Sequence, residues 1–281
     1  MRDHQRGAQR ASLHSRWHLL VLPVLASVVA LGGLATNPTP ASAASVKVAV
    51  VVGPVGSSTA NYISSARTYA KLARSYGATV VEVYSPNATW GKVKAAAAGA
   101  NILIYLGHGN GHPSPYSAFY ADRKDGLGLN SAAGKGNNNT RYYGEDYVKT
   151  LALQKNAVVI LNRLCYASGN SEWGLSNPTK ATAKKRVDNY GAGFLRSKAR
   201  AVFANGIDSI STVIRQLLTT SHSVGYIFRA DPAWTGTGDF KFASSRTAGY
   251  TAWMDPYKAG RYYHSVVGNL TLTATQVRAG G

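Results

Sequence analysis

Short apolar segments rich in β-branched residues recur along the chain and alternate with amphipathic stretches. Residues 46–52 (VKVAVVV) form the first apolar segment, and the turn-forming residues 53–56 (GPVG) follow it. A continuous apolar run of this length is typical of a strand that is buried on both faces of a sheet. In the next stretch Tyr62, Ala66 and Tyr69 recur at steps of four and three, which predicts an amphipathic helix.

The same strand-and-helix unit repeats along the chain. Strands that alternate with helices predict a mostly parallel sheet with helices on both faces. We therefore expect an α/β fold, a three-layer sandwich. The further strands are predicted at residues 79–84, 101–106, 157–162 and 201–204, and the further helices at residues 89–98, 143–153 and 181–197, with a last helix that Asp208 or Ser209 would cap.

The alternation of strands and helices is interrupted in two regions. Residues 110–142 are rich in turn-forming residues with little to bury, which predicts a long functional or mobile loop. From about residue 230 the pattern weakens, and residues 265–273 (SVVGNLTLT) carry the clear strand signal there. A segment of about 50 residues is near the lower limit for an independent core. We therefore expect residues 230–281 to be an extension packed on a main domain at residues 44–229.

The N-terminal 43 residues have the pattern of a secretory signal peptide. Four arginines precede an apolar run at residues 19–31, and small residues lead to a cleavage site after Ala43. The run is 13 residues long, shorter than the roughly 20 that span a bilayer, although an uncleaved signal anchor has a similar pattern. No second run of that length follows, so we expect a secreted or envelope-associated protein with no transmembrane helix in the mature chain.

The charge balance of the chain is strongly basic, with 31 Lys and Arg against 12 Asp and Glu. Removal of residues 1–43 would leave 27 basic and 11 acidic side chains. Such an excess favours anionic partners, and outside a cell these are wall polymers, lipid headgroups or acidic glycans rather than nucleic acid. A solvated basic surface without a partner has the same composition.

Two reactive side chains follow neighbouring strands of the predicted sheet. His108 comes directly after the strand at residues 101–106, and Cys165 follows the strand at residues 157–162. Parallel sheets bind ligands beyond the carboxyl ends of their strands, so both side chains are expected at one edge. Cys165 is the single cysteine of the chain and cannot form an internal disulfide. It is a candidate nucleophile, although a free cysteine is also a common buried apolar residue.

An apolar strand followed by His108-Gly109, and later an apolar strand followed by Cys165, resembles the caspase-like cysteine peptidases. This clan includes caspases, legumains, gingipains and clostripain, and the chain would be a divergent member. The resemblance implies that Cys165 attacks a carbonyl and that His108 handles the proton. It also implies that the backbone N–H groups of Gly109 and Cys165 receive the oxyanion. Peptides or proteins are then the expected substrates, and no cofactor is expected.

The acidic residues are rare, and one of them can line a pocket for a basic substrate group. Glu172 is the preferred candidate because it shares a loop with Cys165, and Asp188 and Asp208 are the alternatives. Each of these carboxylates can equally cap a helix or form a surface ion pair.

Metal binding is a weaker interpretation of the same residues. His108 and His112 are four residues apart, but the glycines between them disfavour the helix that a zinc pair at this spacing requires. Asp122, Asp125 and Asn130 match no calcium-binding loop, so no metal is expected.

A rival to the peptidase hypothesis is a non-catalytic module that binds envelope polymers or glycans. Four aromatic residues near the predicted sheet edge can stack on sugars, namely Tyr116, Phe119, Tyr120 and Trp173.

Overall fold

The computed structural model describes residues 45–281, so the expected signal peptide and its cleavage site lie outside the described residues. Within this range the strands are Lys47–Val52 (β1), Thr79–Tyr84 (β2), Ile102–Leu106 (β3), Leu127–Asn130 (β4), Thr140–Tyr143 (β5), Ala157–Asn162 (β6), Ala199–Asn205 (β7), Phe240–Ala243 (β8), Thr251–Asp255 (β9) and His264–Gly268 (β10). The α-helices are Thr59–Ser75 (α1), Trp90–Ala97 (α2), Glu145–Val148 (α3), Lys180–Arg196 (α4), Ser211–Thr219 (α5), Val224–Arg229 (α6) and Ala274–Ala279 (α7).

Eight of these strands form one mixed sheet with the order β2-β1-β3-β6-β7-β10-β9-β8. The pairs from β2 to β7 are parallel, and the pairs from β7 through β10 and β9 to β8 are antiparallel. The remaining two strands, β4 and β5, form a separate antiparallel hairpin. The predicted α/β architecture with a mostly parallel sheet is thus confirmed.

The apolar strands bury both of their faces because helices cover the sheet on each side. In β1, Ala49 and Val51 pack into a core shared with α2 and α4, whereas Val48 and Val50 pack into a second core shared with α1 and α5. A fully buried Val, Leu or Ile side chain contributes about 1.5–3 kcal/mol. Successive positions of these strands are therefore apolar, because side chains on both faces gain this free energy of burial.

The C-terminal segment contributes three strands to this sheet. Its connection to the parallel part includes Arg246, which follows β8 and donates to both carboxylate oxygens of the buried Glu145 on α3, at 2.9 and 2.7 Å. Both contacts come from one nitrogen, Nη2, and a charge-assisted contact of this kind is stronger than a neutral hydrogen bond. No helix in residues 45–281 has the length and apolar character that a membrane span requires.

Three local predictions differ from the structure. The helix predicted at residues 143–153 is limited to α3, because Tyr143 ends β5 and the buried Leu151 and Leu153 follow in non-helical chain. The strand predicted at residues 265–273 ends at Gly268, where φ is +144° and a Cβ would lie 2.2 Å from the carbonyl oxygen of Arg200. Helix α5 begins after Ile210 and has no side-chain cap, so the cap predicted at Asp208 or Ser209 is absent.

A long-range contact fixes the hairpin against the sheet. The fully buried hydroxyl of Tyr105 on β3 donates to the carbonyl oxygen of Gly128 on β4, at 2.6 Å, and accepts from the N–H of Gly128 at 3.0 Å. The same hydroxyl lies 3.2 Å from the carbonyl oxygen of His108. One side chain therefore connects the central sheet, the hairpin and the loop that carries His108.

Replacement of this hydroxyl tests the connection. Tyr105→Phe removes the donor to the buried carbonyl of Gly128, and we expect the free energy of unfolding to fall by about 1–3 kcal/mol. Urea denaturation measures this change. Tyr257→Phe is the matched control, since Tyr257 is 60% exposed, and it should leave the unfolding midpoint unchanged. Equal midpoints for the two variants would contradict the structural role of Tyr105.

Candidate active site

The pairing of β3 with β6 brings the two predicted reactive residues to one edge of the sheet. These strands are parallel and in register, with Leu106 opposite Asn162 at their carboxyl ends. His108 lies two residues beyond β3 and Cys165 three residues beyond β6. Both side chains line a cavity of about 330 Å³, together with Gly109 and Glu172. The structure therefore brings together the four residues selected from the sequence.

Gly109 is the point at which the two loops touch. A Cβ at this position would lie 2.2 Å from the carbonyl oxygen of Cys165 and 2.8 Å from the hydroxyl of Tyr190. Such distances exclude any side chain unless the backbone moves. A glycine at position 109 is therefore required by the close approach of the two loops.

The turn that presents Cys165 is anchored at its base and has an unusual backbone conformation. The buried side chain of Asn162 donates to the carbonyl oxygens of Asn205 and Asp208, at 3.1 and 2.9 Å. Arg163 and Tyr166, on either side of the cysteine, have positive φ angles of 62° and 70°. Left-handed conformations are costly for side chains of this size and concentrate at functional sites.

The protonation states favour a neutral pair. Burial, together with the nearby Glu172 carboxylate, raises the pKa of the Cys165 thiol to about 11. Partial burial in the cavity lowers the pKa of His108, an effect that Glu172 opposes. At neutral pH the site thus holds a thiol and a neutral imidazole. Among the described residues the hydrogen bonds of the thiol are with the backbone N–H groups of Trp173 and Cys165 and not with His108. A neutral imidazole is the form that can accept a proton.

Glu172 is held by two tyrosine hydroxyls. Tyr116 donates to its Oε2 atom at 2.7 Å and Tyr166 at 3.3 Å. The alternative acids lie outside the cavity. Asp188 accepts from Ser245, whose N–H lies at 2.8 Å and whose hydroxyl lies at 2.6 Å, and Asp208 is exposed beyond β7.

A second, larger cavity of about 600 Å³ also reaches Cys165. Its lining includes Arg163 and Arg261, neither of which was selected as a site residue from the sequence. Arg163 could have been selected from the sequence, because it lies two residues before the candidate nucleophile. Arg261 could not, because only the antiparallel addition of β9 and β10 brings the segment between these strands to this edge.

The predicted aromatic group is divided in the structure. Tyr116 lines the smaller cavity and Trp173, which is 93% exposed, lines the larger one. Phe119 packs against the ring of His112 at 5.6 Å between centroids, and Tyr120 lies under the guanidinium of Arg123 at 4.6 Å. Two of the four aromatic residues therefore border the cavities that contain Cys165.

The possible metal ligands are dispersed. Across residues 45–281 no three His, Cys, Asp or Glu side chains are grouped as a metal site would require. His112 donates its backbone N–H to Asp125 at 2.9 Å, and Asn130 accepts from the N–H of Ala88 at 3.1 Å. His112 and Asn130 therefore both make structural contacts within the protein.

Comparison with known proteins adds a distant similarity. No protein-family model and no curated protein matches the chain. Among solved structures, the chain is similar to the Arg-specific cysteine proteinase gingipain R, with 14% sequence identity and a TM-score of 0.33. The similarity covers 80% of this chain and 61% of the gingipain chain. At this level it identifies neither an activity nor a substrate for the present protein.

The electrostatic effect of Glu172 on the thiol is measurable because the chain has one cysteine. We expect the rate of iodoacetamide alkylation to rise with pH into the alkaline range, without a plateau near neutrality, since the pKa of Cys165 is about 11. Glu172→Gln removes a negative charge that disfavours the thiolate. The pKa should therefore fall, and alkylation at pH 8 should become about threefold faster or more, as a fall of about half a unit implies.

Glu82→Gln is the matched control for this experiment. Glu82 on the edge strand β2 also accepts from a tyrosine hydroxyl, that of Tyr84. Its replacement should leave the alkylation profile unchanged. A profile with a plateau below pH 7, or no difference between the two variants, would contradict the described environment of the thiol.

Proposed function

We propose that this protein is an exported cysteine peptidase or related amide hydrolase of caspase-like type, with Cys165 as nucleophile and His108 as general acid and base. The observation that carries the proposal is the presence of both side chains in one cavity, at the carboxyl ends of adjacent parallel strands. The positive φ angles on both sides of Cys165 support the same interpretation, since backbone strain is common at catalytic turns.

The first half of the reaction forms a thioester. The thiol proton passes to the neutral imidazole of His108 as the sulfur of Cys165 attacks the substrate carbonyl carbon. The carbonyl π electrons move to oxygen, which then accepts from the N–H groups of Gly109 and Cys165. Neither amide donates to another backbone group in the described part of the chain. When the intermediate collapses, the C–N bond breaks and the leaving amine takes the proton from His108.

The second half of the reaction restores the enzyme. His108 takes a proton from a water molecule, and the resulting hydroxide attacks the thioester carbonyl. The C–S bond then breaks, the acid product leaves, and the sulfur of Cys165 recovers its proton from His108. The high pKa of the thiol makes this proton exchange necessary, because little thiolate exists before a substrate enters.

The N-terminal sequence supports export. We infer that residues 1–43 direct secretion and that the mature chain acts outside the cell or at the envelope. There its positive charge favours contact with anionic wall polymer.

A non-catalytic binding module is the second candidate function. Two observations favour it: the raised pKa of Cys165, and the exposure of Tyr116 and Trp173 beside the cavities. Exposed aromatic rings stack on sugars, and the cationic surface would attract acidic polymers. In this case Cys165 would contribute only packing.

Substitution at the two central residues separates the candidates. The substrates are internally quenched peptides of mixed sequence, and mass spectrometry identifies the new termini. For the peptidase, Cys165→Ala and His108→Ala should each lower turnover by about 10³-fold or more, because nucleophile and base act as a unit. Circular dichroism checks that both variants remain folded.

His222→Gln is the control for loss of an imidazole. The ring of His222 contacts Gln216 at 3.0 Å and Tyr226, both outside the two cavities, so turnover should remain at the wild-type level. Full activity in Cys165→Ala would overturn the peptidase proposal. Absence of turnover in the wild type, together with salt-sensitive binding to purified wall polymer, would favour the second candidate.

A further inference from the structure

A groove on the opposite face of the sheet from Cys165 combines aromatic rings with basic side chains. Cys165 packs on one core together with Met254 of β9, whereas the neighbouring Trp253 belongs to the other core. Trp253 also lines a cavity of about 690 Å³, here named the Trp253 groove, whose wall includes Tyr226, Arg229, Trp234, Lys241 and Leu270. Among the described residues, none lines both this groove and a cavity that contains Cys165.

Alternation along the edge strand β8 brings Lys241 to this groove. Phe240 and Phe242 pack on the core that contains the buried side chains of α4. Successive side chains of a strand point to opposite faces, so Lys241 lies on the other face. There it pairs directly with Trp253 in the register of β8 and β9. The Nζ atom of Lys241 lies 3.8 Å from the ring centre of Trp253, which places a positive charge over the floor of the groove.

Helix α6 and the segment after it supply further parts of the wall. The apolar residues of α6 are buried, and its exposed side carries Tyr226 and Arg229, which are three residues apart and therefore neighbours. Tyr226 is 53% exposed. Beyond the helix, Trp234 packs edge-on against Trp253, with ring centres 5.3 Å apart. Aromatic surface and positive charge thus occur side by side along the groove.

The two basic side chains have no acidic partner. Neither Arg229 nor Lys241 lies within 4 Å of a carboxylate of residues 45–281. The carboxylate of Asp239 accepts from the indole N–H of Trp253 at 2.7 Å and does not line the groove. In the described part of the chain, the lining therefore carries two positive charges and no negative charge.

This pairing of rings with cations defines the chemistry of a complementary ligand. The apolar face of a pyranose ring can pack on the exposed face of an aromatic side chain. A guanidinium has five N–H donors and an ammonium has three, and both form strong charge-assisted hydrogen bonds with a carboxylate. The volume of the groove also lies within the range of about 300–1,000 Å³ that is usual for ligand pockets. A sugar that carries a carboxylate satisfies both parts of the wall.

We propose that the Trp253 groove binds an acidic saccharide, a pyranose ring with a carboxylate. Tyr226 and Trp234 pack on the sugar ring, and Arg229 and Lys241 bind the carboxylate. This inference goes beyond the proposed peptidase function and does not rest on it, because the groove shares no described lining residue with the cavities at Cys165. Its role would be to attach the protein to an acidic envelope polymer while the cavities at Cys165 stay open.

The first experiment compares three labelled probes by fluorescence anisotropy with the full-length protein. The probes are hexagalacturonate, its methyl ester, and a glycerol phosphate oligomer of about equal charge. We expect hexagalacturonate to bind about tenfold more tightly than the ester, which has the same rings without the charge. The glycerol phosphate oligomer has charge without a pyranose ring and should also bind more weakly. Equal affinity for the acid and the ester, or tighter binding of the glycerol phosphate oligomer, would overturn the inference.

Substitution of the two cations tests the charge assignment. Arg229→Gln and Lys241→Gln should each lower the acid-to-ester affinity ratio, and the double variant should bring this ratio close to one. The matched control is the double variant Arg215→Gln with Lys71→Gln, which removes the same charge from exposed positions of α5 and α1. The control should keep the wild-type ratio. An unchanged ratio in the groove variant, or an equal fall in both double variants, would overturn the assignment.

Removal of an aromatic ring should have a different effect from removal of a charge. Tyr226→Ala should weaken the binding of the acid and of the ester alike, by about fivefold, and leave their ratio unchanged. Because Tyr226 is exposed, the unfolding midpoint should stay at the wild-type value. Trp173→Ala, in the larger cavity beside Cys165, is the control and should bind both probes normally. Weaker binding in Trp173→Ala but not in Tyr226→Ala would place the saccharide at Cys165 and overturn the groove assignment.

Turnover distinguishes this inference from the proposed function. Tyr226→Ala and the double variant of Arg229 and Lys241 should cleave short quenched peptides at the wild-type rate. Binding of hexagalacturonate without peptide cleavage by the wild type would support the groove and contradict the peptidase function. Cleavage without preferential binding of hexagalacturonate would preserve the peptidase function and overturn the groove.

Discussion

The parallel, in-register pairing of β3 with β6 is the constraint on which the candidate site depends. Neighbouring strands lie about 4.8 Å apart, so residues just beyond their carboxyl ends meet at one edge. The pairing places Leu106 opposite Asn162, and His108 and Cys165 follow in the two adjoining loops. Contact between those loops at Gly109 fixes their separation. A change of register between these strands would remove the shared cavity, even if every helix and strand were retained.

Burial and nearby charges set the protonation states of Cys165 and His108. Burial and Glu172 keep the thiol of Cys165 protonated, and a protonated thiol is oxidised less readily than a thiolate. The lowered pKa of His108 keeps its imidazole neutral and able to accept the thiol proton. The cationic character belongs to the other side of the cysteine, where Arg163 and Arg261 line the larger cavity. The two arginines and the imidazole of His108 thus line different cavities, which meet at Cys165.

The C-terminal segment completes both the fold and the larger cavity. Strands β8, β9 and β10 extend the parallel sheet by antiparallel pairing. The ion pair between Arg246 and the buried Glu145 joins this part to α3. The same segment carries Arg261 to the edge where Cys165 lies. The lining of the larger cavity therefore includes a residue almost 100 positions from Cys165. A protein truncated near residue 230 would lose the sheet edge and the second arginine together.

The sequence by itself determined the apolar strands, the α/β class and the juxtaposition of His108 with Cys165. These follow from local patterns, since a buried parallel strand is a short apolar run and its carboxyl end has a known location in the sheet. Only the tertiary structure decided the β4–β5 hairpin inside the predicted loop, the reason for glycine at position 109, and the placement of Arg261. Each of these depends on contacts between distant segments, such as the Tyr105 hydroxyl on Gly128. Periodicity along the chain carries no record of such contacts, because burial and charge at a site are set by whatever the fold packs around it.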